Sequence, residues 1–175
     1  MGSNVSINGG AGGDRINIGS DVSDVTINAG IGNDTIEVGT NVVNVIVYGE
    51  AGNDYISNFG NSATLDGGAD DDEIYNSGLN VSISGGAGKD SIYNYENNAT
   101  INAGAGNDYI ENVGDNVLFQ YSSGIDSIKG FNDTSTFQIV ADNGSITSSY
   151  MNGENAFLTV KRGNTTTTLT LTDFN

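Results

Sequence analysis

Seven aspartates recur in one local setting: Asp14, Asp34, Asp54, Asp72, Asp90, Asp108 and Asp126 each follow a short glycine-rich run. Six of the runs are close copies: Gly9-Gly-Ala-Gly-Gly-Asp-Arg-Ile16, Ala29-Gly-Ile-Gly-Asn-Asp-Thr-Ile36, Gly49-Glu-Ala-Gly-Asn-Asp-Tyr-Ile56, Gly67-Gly-Ala-Asp-Asp-Asp-Glu-Ile74, Gly85-Gly-Ala-Gly-Lys-Asp-Ser-Ile92 and Ala103-Gly-Ala-Gly-Asn-Asp-Tyr-Ile110. Tyr121-Ser-Ser-Gly-Ile-Asp-Ser-Ile128 is a worn seventh copy. Glycine reaches positive φ without a Cβ clash, so such a run can turn sharply and aim several carbonyls one way. The sixth position adds a carboxylate. Carbonyl and carboxylate oxygens suit a hard cation, and Ca²⁺ accepts six to eight of them with flexible geometry, whereas Mg²⁺ demands a stricter octahedron and keeps its waters. One run holds too few oxygens. Two runs stacked a strand spacing apart, ~4.8 Å, could share an ion. Seven runs leave six gaps.

The composition agrees with that chemistry and removes others. With 22 acidic and 5 basic residues among 175, the net charge is −17. Such a chain is a poor partner for a phosphate backbone or an anionic membrane surface. The absence of Cys and His removes disulfides, thiolate chemistry, almost every zinc or iron site, the commonest general base and every His-containing triad. No run of eighteen apolar residues exists to span a membrane as a helix, and no secretory signal is visible at the start. Met1-Gly2-Ser3 reads as an appended start, so the chain is expected to be part of something longer. With no Cys, the redox compartment is not reported.

The elements that must position the aspartates show in the period. Apolar residues expected to face inward run Ile7, Ile16, Ile27, Ile36, Val47, Ile56, Leu65, Ile74, Ile83, Ile92, Ile101, Ile110, Phe119 and Ile128, at steps of 9 with two steps of 11. A period of nine with one β-branched or aliphatic residue is not helical. It fits a coil of alternating tight loops and short strands, with eighteen residues per turn and two strands facing each other. The longer steps read as two-residue loop insertions. Gly, Asn, Thr, Ser, Val and Ile dominate, Pro and Trp are absent, and almost no helix is expected. One turn buries too little to fold alone; stacking builds a continuous ladder of aliphatic side chains.

The loops resemble the RTX, or hemolysin-type, calcium-binding repeat Gly-Gly-x-Gly-x-Asp-x-U-x, where U is a large aliphatic residue. The resemblance covers roughly residues 4 to 131. It implies a right-handed parallel β-roll over 4–131, an all-β two-sheet solenoid, with a C-terminal β cap over 132–175. It also implies calcium held between same-side turns by the side chains of Asp14, Asp34, Asp54, Asp72, Asp90, Asp108 and Asp126. The matching backbone contributors are Gly10, Gly12, Gly30, Gly32, Gly52, Gly68, Gly86, Gly88, Gly104 and Gly106. Two departures stand out: Glu50 at a second position and Asp70 at a fourth, of which Asp tolerates the left-handed region better than most residues. Lys89 is expected to point to solvent.

The alternate half-turns depart further. Asn58-Phe-Gly-Asn-Ser-Ala63, Asn76-Ser-Gly-Leu-Asn-Val81, Asn94-Tyr-Glu-Asn-Asn-Ala99 and Asn112-Val-Gly-Asp-Asn-Val117 place Ala or Val where a ligand Asp would stand. Those residues should turn into the core. Asn58, Asn76, Asn94 and Asn112 recur at 18, as do Asn80, Asn98 and Asn116, and stacked Asn side chains can form hydrogen-bonded ladders. The expectation is a one-sided roll with about five to six Ca²⁺ on one edge and Asn ladders on the other. Past Phe131 the period is lost; Phe137-Gln-Ile-Val140 reads as a strand, and Ala156–Val160 with Thr166–Thr172 as a hairpin about Arg162-Gly163-Asn164.

Other readings are weaker. No helix pattern follows any glycine run, as a dinucleotide site would need. Asp70-Asp71-Asp72-Glu73 resembles an acidic catalytic cluster only in composition. Tyr55, Tyr75, Tyr93 and Tyr109 could form an aromatic strip for sugar but are expected to stack on one another; Thr26, Thr64, Ser82 and Thr100 form a small polar row of the kind some ice-binding solenoids use. The chain therefore reads as a non-enzymatic, calcium-binding structural module of a larger secreted or cell-surface bacterial protein of adhesin, toxin or surface-layer type. The resemblance implies export by a type I system and folding on Ca²⁺ outside the cell. The alternatives are an accessory module of a secreted protease, lipase or alginate epimerase, or a flat face for a glycan or ice. Expected partners are calcium ions, the parent polypeptide's other domains and a candidate surface ligand such as a glycan, with neither nucleic acid nor membrane insertion.

Overall fold

The computed structural model describes residues 4–139, 144–152, 155–162 and 165–172. Met1-Gly2-Ser3, Val140, and Gly163 and Asn164 of the expected hairpin lie outside them. The strands run β1 Val5–Ala11, β2 Arg15–Ile18, β3 Ser23–Ile31, β4 Thr35–Val38, β5 Val43–Ala51, β6 Tyr55–Asn58, β7 Thr64–Ala69, β8 Glu73–Asn76 and β9 Ser82–Gly88. They continue as β10 Ser91–Asn94, β11 Thr100–Gly106, β12 Tyr109–Asn112, β13 Leu118–Tyr121, β14 Ser127–Lys129, β15 Thr136–Ile139, β16 Gly144–Asn152, β17 Asn155–Arg162 and β18 Thr165–Thr172. No helix occurs among the described residues.

Odd-numbered strands β1 to β15 stack in order into an eight-stranded parallel sheet, and even-numbered β2 to β14 form the facing parallel sheet, extended by β18, β17 and β16. The nine-residue period dictates this. Each step of 18 or 20 returns the chain to the same sheet one strand further on, so like residues pair with like: Ile27 with Val47, Val47 with Leu65, Leu65 with Ile83. The two-residue insertions leave that register intact, because they fall at Gly19–Val22 and Gly39–Val42, outside the strands. The inward series is buried from Ile16 to Ile128 and partly buried at Ile7. Ala63, Val81, Ala99 and Val117 join the core, at 1–3% exposure.

Two features differ from the sequence expectation. The strands of the first sheet are not short; they run through the first half of each glycine loop, where Gly10, Gly30, Glu50, Gly68, Gly86 and Gly104 pair across turns. Second, β16 lies in a Ser-rich stretch with little apolar alternation, where no strand is expected. β16, β17 and β18 pair antiparallel, and β18 joins β14 in parallel.

The edge opposite the aspartates is held by amides. Asn58 Nδ2 donates to Asn76 Oδ1 at 2.8 Å, Asn76 to Asn94 at 2.8 Å and Asn94 to Asn112 at 2.7 Å. Each Nδ2 also donates to the carbonyl two residues on, at Gly60, Gly78, Glu96 and Gly114. The expected ladder thus exists for this series. It does not for Asn80, Asn98 and Asn116, which instead sit in the left-handed region at φ 58°, 60° and 55°. They serve the turn through their backbone, the conformation Asn tolerates best after Gly. Asn76 is 0% exposed and bonded on both sides. Asn76→Ala should therefore leave buried partners unsatisfied and cost about 2–4 kcal/mol, measured by urea unfolding in excess calcium; an unchanged midpoint would remove the ladder from the account of stability.

Candidate metal centre

Along the other edge the seven aspartates form a single file. Each loop begins within a strand of the first sheet and ends where a strand of the second begins, so the sheet register fixes the carboxylates one strand spacing apart, ~4.8 Å. Within the file every contact repeats. The main-chain N–H of Asp14 donates to Asp34 Oδ1 at 2.7 Å, that of Asp34 to Asp54 at 2.8 Å and that of Asp54 to Asp72 at 2.8 Å. Asp72 donates likewise to Asp90 at 2.9 Å, Asp90 to Asp108 at 2.9 Å and Asp108 to Asp126 at 3.1 Å. Asp126, in the worn copy, is thus placed like the rest.

One carboxylate oxygen is engaged by this chain of bonds; the other is not. Oδ2 of Asp14, Asp34, Asp54, Asp72, Asp90 and Asp108 is buried with no hydrogen-bond partner. An unsatisfied buried acceptor costs about 1–3 kcal/mol, and more when charged. Other oxygens crowd the same space. A Cβ built on Gly67 would lie 2.6 Å from the carbonyl oxygen of Gly85 and against Asp72 Oδ2; one on Gly9 would lie 2.7 Å from Asp14 Oδ2 and against the Ala29 carbonyl. Beside Gly9, Gly49, Gly67 and Gly85 a carboxylate oxygen without a donor therefore lies close to a neighbouring turn's carbonyl oxygen. That arrangement fits a hard cation.

The glycines hold the loop geometry. Gly10, Gly12, Gly30, Gly32, Gly52, Gly68, Gly86, Gly88, Gly104 and Gly106 all have positive φ, between 105° and 156°. At Gly30 and Gly104 a side chain would also strike the carbonyl of the preceding turn. Glu50 and Asp70 adopt φ 76° in glycine's place, so both departures keep the loop shape at a local conformational cost. Lys89 is exposed, as expected. Among the described residues no group of three acidic side chains converges, so each cage would draw most of its oxygens from the backbone.

Burial sets the proton chemistry of the file. Desolvation pushes Asp54 and Asp90 up to about 6 and Asp72 and Asp126 up to about 7, against the lowering effect of the backbone hydrogen bond and with further raising by neighbouring carboxylates. Asp108 is raised for the same first reason. Without a counter-ion Asp54, Asp72, Asp90 and Asp126 titrate well above the ordinary carboxylate range, close to neutral pH.

A second column went unread in the sequence. At the fifth loop position Asn33 Oδ1 accepts the N–H of Asn53 at 3.0 Å, Asn53 that of Asp71 at 3.2 Å, Asp71 that of Lys89 at 2.7 Å and Asn107 that of Ile125 at 3.0 Å. Recurrent Asn or Asp before the ligand position was the available signal. Lys89, which has no acceptor, interrupts the column. On the outer face of the second sheet Tyr75 and Tyr93 stack, with ring centroids 4.6 Å apart and planes 8° apart, whereas Tyr55–Tyr75 and Tyr93–Tyr109 are tilted contacts at 5.5 and 6.0 Å. Their flanks are tied by Tyr75 to Glu73 and Tyr109 to Glu111. On the first sheet Thr64, Ser82 and Thr100 share a register line, but Ile46 separates them from Thr26.

Comparison with protein families gives four matches to the RTX calcium-binding nonapeptide repeat, at residues 23–40, 44–58, 80–98 and 98–118. No curated protein matches the chain. The matched segments include the loops ending at Asp34, Asp54, Asp90 and Asp108. The unmatched loop at Asp72 carries Asp70 in place of glycine, yet its backbone and hydrogen bonds repeat those of its neighbours. By repeat, register and matched segments alike, the chain belongs to the RTX calcium-binding nonapeptide repeat family.

Proposed function

We propose that this chain is a non-catalytic structural module that orders on binding calcium along its aspartate edge, within a larger protein secreted or displayed outside the cell. The observation that carries the reading is the file of buried Oδ2 atoms without a donor. The ligand set is Asp14, Asp34, Asp54, Asp72, Asp90, Asp108 and Asp126 with the carbonyls of the glycine loops. Six gaps would take six Ca²⁺, about 12 positive charges against a net −17.

The energetics follow from the two states. Unfolded, the chain keeps the entropy of 26 glycines and spreads its charge. Folded without metal, it stacks like charges at strand spacing. Ion binding offsets that repulsion only in the folded state, so binding free energy becomes folding free energy. Scarce calcium inside a cell and abundant calcium outside would then make the fold conditional on export, in keeping with the type I route the family resemblance implies. The antiparallel strands β16 to β18 are read as a cap, since an open solenoid end leaves core and strand edges uncovered.

Calcium titration of the EDTA-treated chain, followed by far-ultraviolet circular dichroism and hydrodynamic radius, should show a cooperative gain of β signal with compaction. A β signal unchanged by EDTA would defeat calcium-driven ordering.

Acidity supplies a second prediction. Carboxyls raised to about 6 or 7 in the metal-free fold bind more protons there than in the unfolded chain. Their contribution is therefore fully present below the unfolded carboxyl range and is lost as pH rises through about 6–7. The metal-free roll should be more stable at pH 5 than at pH 7.5. The calcium midpoint should move the opposite way, weakening roughly tenfold per displaced proton for each unit of pH below the folded value. Thermal melts in EDTA and calcium titrations at several pH values check both; a metal-free roll that gains stability from pH 5 to 7.5 would contradict the burial of these carboxyls.

A further inference from the structure

Of the four tyrosines on the outer face of the second sheet, only two are in register. Tyr75 on β8 stands directly opposite Tyr93 on β10. Tyr55 is opposite Glu73 and Tyr109 opposite Ser91, so both lie on diagonals. The alternation of the strands sets this. Ile74, Asn76, Ile92 and Asn94 are buried, which turns Tyr75 and Tyr93 outward, each half-buried. Parallel register sends the two side chains the same way, and their rings meet at 4.6 Å and 8° from parallel. The diagonal contacts are tilted by 41° and 59°.

The Tyr75 phenol also has a proton acceptor in place. Its hydroxyl donates to Glu73 Oε1 at 2.6 Å. That bond is the main reason the phenol is held above its ordinary value, so the group meets an oxidant as the neutral phenol. A phenol that loses an electron and a proton becomes a radical with spin on the carbons next to the oxygen, and two such radicals join there when they meet. Two rings already held face to face make that encounter a step within one molecule. Access alone would favour other residues: Tyr48 and Tyr95 are 38% and 46% exposed.

We propose that Tyr75 and Tyr93 form an oxidative cross-linking site, at which a one-electron oxidant driven by hydrogen peroxide joins the two rings through their ortho carbons and staples adjacent turns of the roll. Each phenol gives up one electron and one proton; Tyr75 passes its proton to Glu73 and Tyr93 to water. One carbon–carbon bond forms. Each bonded carbon then loses its hydrogen as a proton, and each oxygen takes one up, which restores both phenols. The pair loses two electrons and two protons in all, and one hydrogen peroxide takes them up as two waters. The strands stand one spacing apart, ~4.8 Å, so side-chain rotation closes the gap between the rings. In a chain without cysteine the bond does what a disulfide would do, constraining the unfolded state between two turns.

The full chain, dilute and in excess calcium, is treated with hydrogen peroxide and a haem peroxidase. Lys89 lies between the two tyrosines, so tryptic cleavage after it separates them unless they are joined. The expected product is a single chain on a denaturing gel, lighter by two hydrogens, with dityrosine fluorescence and with the tryptic peptides of Tyr75 and Tyr93 linked through those residues. Tyr75→Phe and Tyr93→Phe, which keep the ring and are checked for fold by circular dichroism, should each lose that product, and Tyr95→Phe should keep it. Concentrated urea should abolish it. An intrachain product that survives in Tyr93→Phe, an equal yield in urea, coupling only between chains, or oxidation without coupling would each overturn the proposal.

Discussion

A carboxylate cannot pair with its own copy, and an amide can. That difference organises this molecule. Both edges of the roll bring identical polar side chains to one strand spacing and bury them. On one edge the side chain is Asn, which carries a donor and an acceptor, and Asn58, Asn76, Asn94 and Asn112 satisfy one another in a column. On the other it is Asp, which carries only acceptors. One oxygen finds the backbone of the neighbouring turn and the second finds nothing. The first edge closes on itself; the second asks for a cation or a proton from outside.

The core cannot settle the matter alone. Each turn contributes few aliphatic side chains between the sheets, and the glycines that shape the loops add conformational entropy to the unfolded chain. A thin aliphatic ladder flanked by one self-satisfied edge and one unsatisfied edge is a fold whose stability depends on solution conditions. The burial that raises Asp54, Asp72, Asp90 and Asp126 toward neutral pH also leaves oxygen ligands of the kind a hard ion takes. Protonation and calcium are competing answers to one electrostatic demand.

Much of this was legible in the chain itself because its period is nearly strict. One aliphatic residue every nine positions specifies two facing parallel sheets, and the insertions at residues 19–22 and 39–42 do not blur it, since they fall in loops. The loop aspartates were legible from residue type and spacing, with the family resemblance supplying their ligand role. What escaped depended on backbone detail. Asn80 and Asn76 share a period, but only the structure separates a left-handed turn position from a ladder rung. The column of Asn33, Asn53, Asp71 and Asn107 lay hidden beside the more conspicuous ligand position. Glycine loops read as turns, yet half of each is strand, because glycine's backbone pairs as well as any once its neighbour one turn away has the same φ. β16 was missed because Ser-rich sequence gives no alternation to read, and its pairing with β17 comes from tertiary context.

Ions are expected on one edge of the roll only. A crystal structure of the chain grown in calcium, with an anomalous difference map, tests it most directly. A single file of peaks is expected between successive loops from Asp14 to Asp126, with none beside the Asn58–Asn112 column. Peaks along the asparagine edge, or none between the aspartate loops, would contradict it.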